Sequence, residues 1–160
     1  MIQISDAEPV HVAGIAAIEE ECFSDPWPRD TIASQLSGPN HTFLVALDGN
    51  SVVGYVGLMY VLDEGYISNI AVTATYRRQS IADQLIEMLI SRGICMGLSF
   101  LTLEVRQSNE AAKSLYIKHG FTSVGLRKNY YTKPKEDALL MTLYLKKGRQ
   151  NDHFINRILL

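Results

Sequence analysis

The chain has 160 residues, with 15 Lys and Arg against 17 Asp and Glu and a net charge of −2. That length predicts one domain able to bury about two thirds of its surface, and 20% charged with 47% apolar residues excludes a disordered chain. The charge balance excludes a protein that grips nucleic acid by bulk charge, and no apolar run reaches the ~18 residues a membrane helix needs.

Ile2 and Ile4 start a short strand. Pro9 opens a helical pattern in which Val12, Ile15, Ala16, Ile18 and Cys22 fall near helical spacing. Ser24-Asp25-Pro26-Trp27-Pro28 breaks it, and Ile32 with Leu36 predicts a second, short helix ending at Gly38-Pro39. Thr42 to Leu47 and Val52 to Leu62 read as a hairpin around Asp48-Gly49-Asn50-Ser51. Asp63-Glu64-Gly65 turns the chain into a third strand, Tyr66 to Val72. Ile81, Leu85, Met88 and Leu89 form the stripe of a half-buried helix, which ends at Gly93 or Gly97. Phe100 to Val105 is a strand. Ser108 or Asn109 caps a helix running to Lys118, with Gly120 just past its end. Thr122 to Leu126 and Ala138 to Leu145 are the last strands, joined by a polar loop from Lys128 to Asp137. The order fits an α/β protein whose mixed sheet carries helices on both faces.

Cys22 and Cys95 lie far apart and form no motif, so they read as packed, reduced thiols of a cytoplasmic protein. The start, Met1 to Asp6, has neither the basic region nor the apolar stretch of a signal peptide. His11, His41, His119 and His153 show no ligand spacing, and no metal is expected.

The richest chemistry lies where a strand gives way to a helix, at Arg77-Arg78-Gln79-Ser80-Ile81-Ala82. A helix start leaves backbone N–H groups without partners, and its dipole favours negative charge. Such a start suits phosphate or pyrophosphate, and two arginines add charge-assisted bonds. A solvated basic loop before an ordinary helix fits the same residues.

This segment resembles the acetyl-CoA signature of the GNAT acetyltransferases, Arg/Gln-x-x-Gly-x-Gly/Ala, with Arg77 in the first place and Ala82 in the last. Ser80 stands where that family usually has glycine. The element order also resembles the GNAT fold, a central, mostly antiparallel sheet. Asn69-Ile70-Ala71-Val72, Leu103 to Asn109, Arg127-Lys128-Asn129-Tyr130-Tyr131 and Pro26-Trp27 resemble the RimI-like branch, which acetylates the N-terminal amine of a ribosomal protein. The resemblance covers about residues 1–146, taken as one domain followed by a tail, 147–160.

The resemblance implies that the pantetheine arm of acetyl-CoA lies along Ile70, Ala71 and Val72, paired with the strand backbone. It implies a pyrophosphate on the N–H groups of Arg78, Gln79, Ser80, Ile81, Ala82 and Asp83. A Cβ at Ser80 crowds that approach while its hydroxyl offers a bond, and the Asp83 carboxylate repels a diphosphate. Asn109 would hold the cofactor arm, Glu104 would accept a proton from the amine, and Tyr116 would return one to the leaving thiolate. Backbone N–H groups around Ile70 would polarise the thioester carbonyl.

The residues set alternatives beside these roles. A protein N-terminal amine, with a pKa of about 7.7–8.0, is roughly a quarter neutral at pH 7.4, so one carboxylate acting through water suffices. Glu104 alternates with Leu103 and Val105, so with both sheet faces covered it stands among apolar side chains; it also reads as a surface glutamate at a strand end. Tyr116 reads equally as a core aromatic, and Asn109 as a helix cap. The two are seven residues apart, about 10 Å along one helix face.

The resemblance places a peptide groove between Pro26-Trp27 and Asn129-Tyr130-Tyr131, where aromatics give broad contact with a polar tip. Glu19, Glu20 and Glu21 read as a solvated face, or as an acidic attraction for a basic tail. The apolar end Phe154-Ile155-Asn156-Arg157-Ile158-Leu159-Leu160 calls for a docking surface on this copy or a second one. The expected activity is transfer of acetyl from acetyl-CoA to the N-terminal alanine of a small-subunit ribosomal protein, by direct attack, with no nucleic-acid or membrane partner. A GNAT enzyme for a small amine or lysine, or a non-catalytic acyl-CoA-binding module, also accommodates these residues.

Overall fold

A computed structural model describes residues 1–145 of the chain. Seven strands form one sheet: β1 (Ile2–Asp6), β2 (His41–Asp48), β3 (Ser51–Val61), β4 (Glu64–Val72), β5 (Phe100–Arg106), β6 (Thr122–Thr132) and β7 (Lys135–Tyr144). Their order in space is β1-β2-β3-β4-β5-β7-β6. Every pairing is antiparallel except β4 with β5.

Among the described residues four α-helices supply the layers: α1 (Val12–Cys22), α2 (Arg29–Leu36), α3 (Ile81–Cys95) and α4 (Glu110–Lys118). α3 packs Ile81, Leu85, Ile86 and Leu89 against Leu44, Val56 and Leu101. Across the sheet, α1 and α2 pack Ile15, Ile18 and Ile32 against Phe43, Val45 and Tyr55. Each of these wholly buried aliphatic side chains contributes about 1.5–3 kcal/mol relative to exposure. The second layer stops at β4, because its core contains no residue of β5, β6 or β7. The helices of the described residues therefore cover both faces of β1–β4 and one face of the remainder, where Tyr144 is 68% exposed.

Local chemistry sets the boundaries. Pro9 begins a 3-10 turn, Pro9–His11, and the α-helix proper starts at Val12. Gly97 ends α3 at φ +74, a backbone that suits a residue without Cβ, whereas Gly93 lies inside the helix. β4 starts at Glu64, so the preceding turn is shorter than the expected Asp63-Glu64-Gly65. The expected Lys128–Asp137 loop is instead mostly strand. Tyr131 pairs with Glu136 and Thr132 with Lys135, leaving a turn at Lys133-Pro134. Both strands are polar and solvated there, so no apolar alternation marks them. Both cysteines are free; Cys95 is exposed rather than packed. The tail expected at 147–160 lies outside the described residues.

Candidate active site

β4 and β5 pair only over Glu64–Tyr66 and Phe100–Thr102. Beyond that the strands part, and the cause lies on β4's other edge. Val56 faces Ile70 and Leu58 faces Ile67, so Ser68 and Asn69 together oppose the single Gly57. A bulge of this kind bends its strand. A Cβ on Gly57 would lie 2.6 Å from Ser68 Oγ and 2.8 Å from the Phe43 ring, so only glycine fits beneath the bulge. Thr73 N–H donates to Val53 O at 2.9 Å. Peptide groups alternate between strand edges, so Ile70 and Val72 turn theirs toward the gap.

The gap lines a cavity of about 660 Å³. β4 contributes Ile67 to Ile70, β5 contributes Leu103 to Arg106, and α4 with its N-cap contributes Asn109, Ala112 and Tyr116. The end of α1 and the loop after it add Cys22 to Asp25 and Trp27, and the β6–β7 hairpin adds Tyr130, Tyr131, Lys133 and Pro134. Glu104, Tyr116, Asn109, Ile70, Trp27, Tyr130 and Tyr131 are thus brought together. Pro26, Ala71 and Val72 are not among the lining residues. Ala71 packs on the α1 side of the sheet and Val72 on the α3 side.

Glu104 differs from its expected apolar setting. Among the described residues no helix lies over the face it shares with Thr102, and Arg127 Nε lies 3.2 Å from its Oε1. The guanidinium orients the carboxylate at the cavity wall. Tyr116 is 5% exposed and packs on Phe121 at 5.6 Å between ring centroids. Burial pushes its phenol above the ordinary tyrosine value. Its hydroxyl makes no hydrogen bond among the described residues, which leaves the proton for a cavity occupant. Asn109 caps α4, its side chain accepting from Ala112 N at 3.1 Å, and it also lines the cavity.

The hairpin is shaped by a second bulge. Arg127 pairs with Ala138 and Tyr131 with Glu136, so three residues oppose Asp137. Asn129 takes φ 55 and donates its N–H to Asp137 Oδ1 at 2.7 Å. Arg106 then fixes the tip. Its Nη1 and Nη2 donate to Pro134 O at 2.9 Å and Lys133 O at 3.0 Å, and its Cζ sits 4.2 Å from the Tyr131 ring centroid. Burial, then the neighbouring Tyr130, pushes the Tyr131 phenol up to about 12. Lys133 O accepts from Ser24 Oγ, and Lys133 Nζ approaches Asp25 at 3.9 Å. The two loops that flank the cavity therefore meet.

At the start of α3 the first helical bond is Gln84 N to Ser80 O at 3.1 Å. The N–H groups of Ile81, Ala82 and Asp83 precede it and suit an anion. Arg78 and Gln79 are exposed beside them. Arg77 is exposed as well, but its guanidinium is engaged: its Nε donates to Val72 O at 3.1 Å and its Nη2 to Cys22 Sγ at 3.4 Å. Its guanidinium is thus directed at Val72 and Cys22 rather than left free at this mouth. Asp83 turns away too, held 2.8 Å from both Lys118 Nζ and His119 Nε2. These partners offset the repulsion expected from its charge.

The acidic run of α1 departs most from expectation. Only Glu20 is solvated without a partner role. Glu21 accepts from Thr73 Oγ1 at 2.8 Å and Ala74 N at 2.6 Å, and Glu19 is wholly buried. Glu19 stands four residues after Ile15, on the apolar stripe, and that spacing was the available signal. Arg106 and Arg127, by contrast, acquire their roles only through strand pairing.

The GNAT acetyltransferase family model matches residues 12–121. The chain is 36% identical over 145 residues to the [ribosomal protein bS18]-alanine N-acetyltransferase of Escherichia coli K12, covering 89% of this chain and 97% of that one. The Haemophilus influenzae protein of the same name is 35% identical, covering 89% and 98%. The crystal structure of the ribosomal-protein-S18-alanine N-acetyltransferase from Escherichia coli superposes with a TM-score of 0.86 at 34% identity, over 94% of this chain and 98% of that one. With its split sheet and anion-ready helix start, the chain belongs to the GNAT acetyltransferase family, on its RimI-like branch.

Proposed function

We propose that this acetyltransferase moves the acetyl group of acetyl-CoA to a protein N-terminal amine, with the N-terminal alanine of a small-subunit ribosomal protein as acceptor. The observation that carries the reading is the junction of Ser24 and Asp25 with Lys133 across the cavity. A cavity flanked by joined loops favours a slender chain end. The names of the relatives support the same acceptor.

Bound acetyl-CoA supplies the acetyl group as a thioester. The residues present fit it: the N–H groups of Ile81 to Asp83 suit the diphosphate, and the β4 edge at Ile70 with the N–H of Val72, whose carbonyl is taken by Arg77, suits an amide-bearing arm. Ala71, with its peptide groups toward β3, serves by holding that edge in register. Arg78 and Gln79 would help hold the diphosphate, and Ser80 forms the turn that opens α3. Backbone N–H groups near Ile70 would polarise the carbonyl. Glu104 takes the amine proton, directly or through water. Tyr116 holds a proton for the departing sulfur. Trp27, Tyr130 and Tyr131 contact the peptide, and Pro26 shapes the approach to Trp27.

Steady-state assays with an Ala-starting peptide and the same peptide blocked at its terminus test the reading. Acetylation of the free peptide alone is expected. Equal activity on the blocked peptide would overturn it in favour of a lysine acceptor, and binding of acetyl-CoA without turnover would leave a binding module.

A further inference from the structure

We propose that Glu19 is a positioning residue for acetyl transfer, fixing the Trp27 loop to the β4 bulge so that the peptide and acyl sides of the cavity keep a set separation. The proposal rests on the reading of the cavity just given. Glu19 is the one charged side chain that is fully buried among the described residues. No Lys, Arg or His among them forms an ion pair with it. Burying a carboxylate is costly unless hydrogen bonds compensate, and here they do.

The distribution of those bonds gives the role. Oε2 accepts from the Trp27 backbone N–H at 3.0 Å. Oε1 accepts from Asn69 Nδ2 at 2.8 Å and from the Tyr55 hydroxyl. Trp27 and Asn69 both line the cavity, one on the peptide loop and one in the bulge, while Glu19 does not. Tyr55 is fully buried and stacks on Phe43, so it anchors the carboxylate to the core. Both oxygens are committed inward, so Glu19 acts through Trp27 and Asn69. A glutamine here keeps the shape but offers one acceptor oxygen. If that oxygen serves Asn69 and Tyr55, the new NH2 meets the Trp27 N–H donor to donor.

Trp27 is the sole tryptophan, so its fluorescence reports the loop independently of turnover. Glu19→Gln is expected to raise the KM for an Ala-starting peptide about tenfold, the effect of losing one positioning bond. The KM for acetyl-CoA should stay within about twofold, and Trp27 emission should move to the red. Tyr55→Phe removes the core donor and leaves the Trp27 bond, so it should lower thermal stability while sparing peptide KM and emission. Parental peptide KM and emission in Glu19→Gln would overturn the proposal. So would parallel changes of both KM values in both variants, the mark of general destabilisation.

Should Glu19→Gln not fold, hydrogen exchange in the parent decides. A Trp27 amide as protected as those of α1 supports the anchor, and one that exchanges like Ser24 and Asp25 refutes it. A parent that leaves the peptide unacetylated counts against the proposed function, whereas emission and exchange still judge the anchor.

Discussion

Ser80 takes φ 59 and ψ 22 at the start of α3, and Arg78 takes φ 62. In that left-handed region a Cβ crowds the next carbonyl at a cost of about 1–2 kcal/mol. The glycine that the family pattern usually has here now has a backbone reason, as well as the room it leaves for a phosphate. Ser80 makes no side-chain capping bond to offset the strain. Ser80→Gly should therefore stabilise the protein by about 1 kcal/mol, or roughly 2–4 °C in Tm, and tighten acetyl-CoA in a calorimetric titration. At the reacting end, Glu104→Gln keeps the shape and a contact for Arg127 but removes the proposed proton acceptor. Turnover should fall by about 10²–10⁴-fold with acetyl-CoA affinity nearly constant. An unchanged rate would take Glu104 out of the mechanism. The sequence made Glu104 a candidate through strand alternation and resemblance. Arg127, 23 positions away, reaches it only because β5, β7 and β6 are neighbours in space.

Elements meet at the anion end through one ion-paired cluster. Asp83 in the first turn of α3 binds Lys118 and His119 at the end of α4. The Lys118 bond is the largest cause holding its carboxyl below the ordinary value; burial opposes it, and His119 adds to the lowering. A lowered folded-state pKa gives stability that is complete above the unfolded carboxylate value, about 3.9, and is lost as pH falls through the lower folded value. Asp83→Asn should cost about 0.5–1 kcal/mol at pH 7, discounted because Lys118 is largely exposed. Denaturant titrations at several pH values should show that gap closing in acid. A gap independent of pH would assign the loss to packing. The apolar stripe of α3 was plain in the sequence because a helix writes its buried face locally. The outer β6–β7 hairpin was not, since its solvated strands carry polar residues on both sides, and a ladder between Tyr131 and Glu136 leaves no apolar period.

At the scale of the whole molecule, function depends on a sheet that divides. Element order and the anion-ready helix start were legible because each is written in adjacent residues. The place where β4 leaves β5 was not, because it depends on one glycine of β3 lying beneath two residues of β4. That dependence is measurable. In Gly57→Ala the new Cβ meets Ser68 Oγ at 2.6 Å and two Phe43 ring atoms at 2.8 and 3.0 Å. The serine hydroxyl can rotate away, but Phe43 is 5% exposed and stacked on Tyr55, so the ring resists and the bulge must move. Overpacking of this kind costs about 1–3 kcal/mol. A ligand at a hundred times its Kd stabilises the folded state by about 2.7 kcal/mol. Thermal unfolding with and without acetyl-CoA separates the two effects. Gly57→Ala should lower the Tm of the free protein and also shrink the rise on adding acetyl-CoA, because the displaced bulge no longer presents Ile70 and Val72 to the arm. A variant that loses stability but keeps the full ligand-induced rise would show that the cleft is shaped from the β5 side instead.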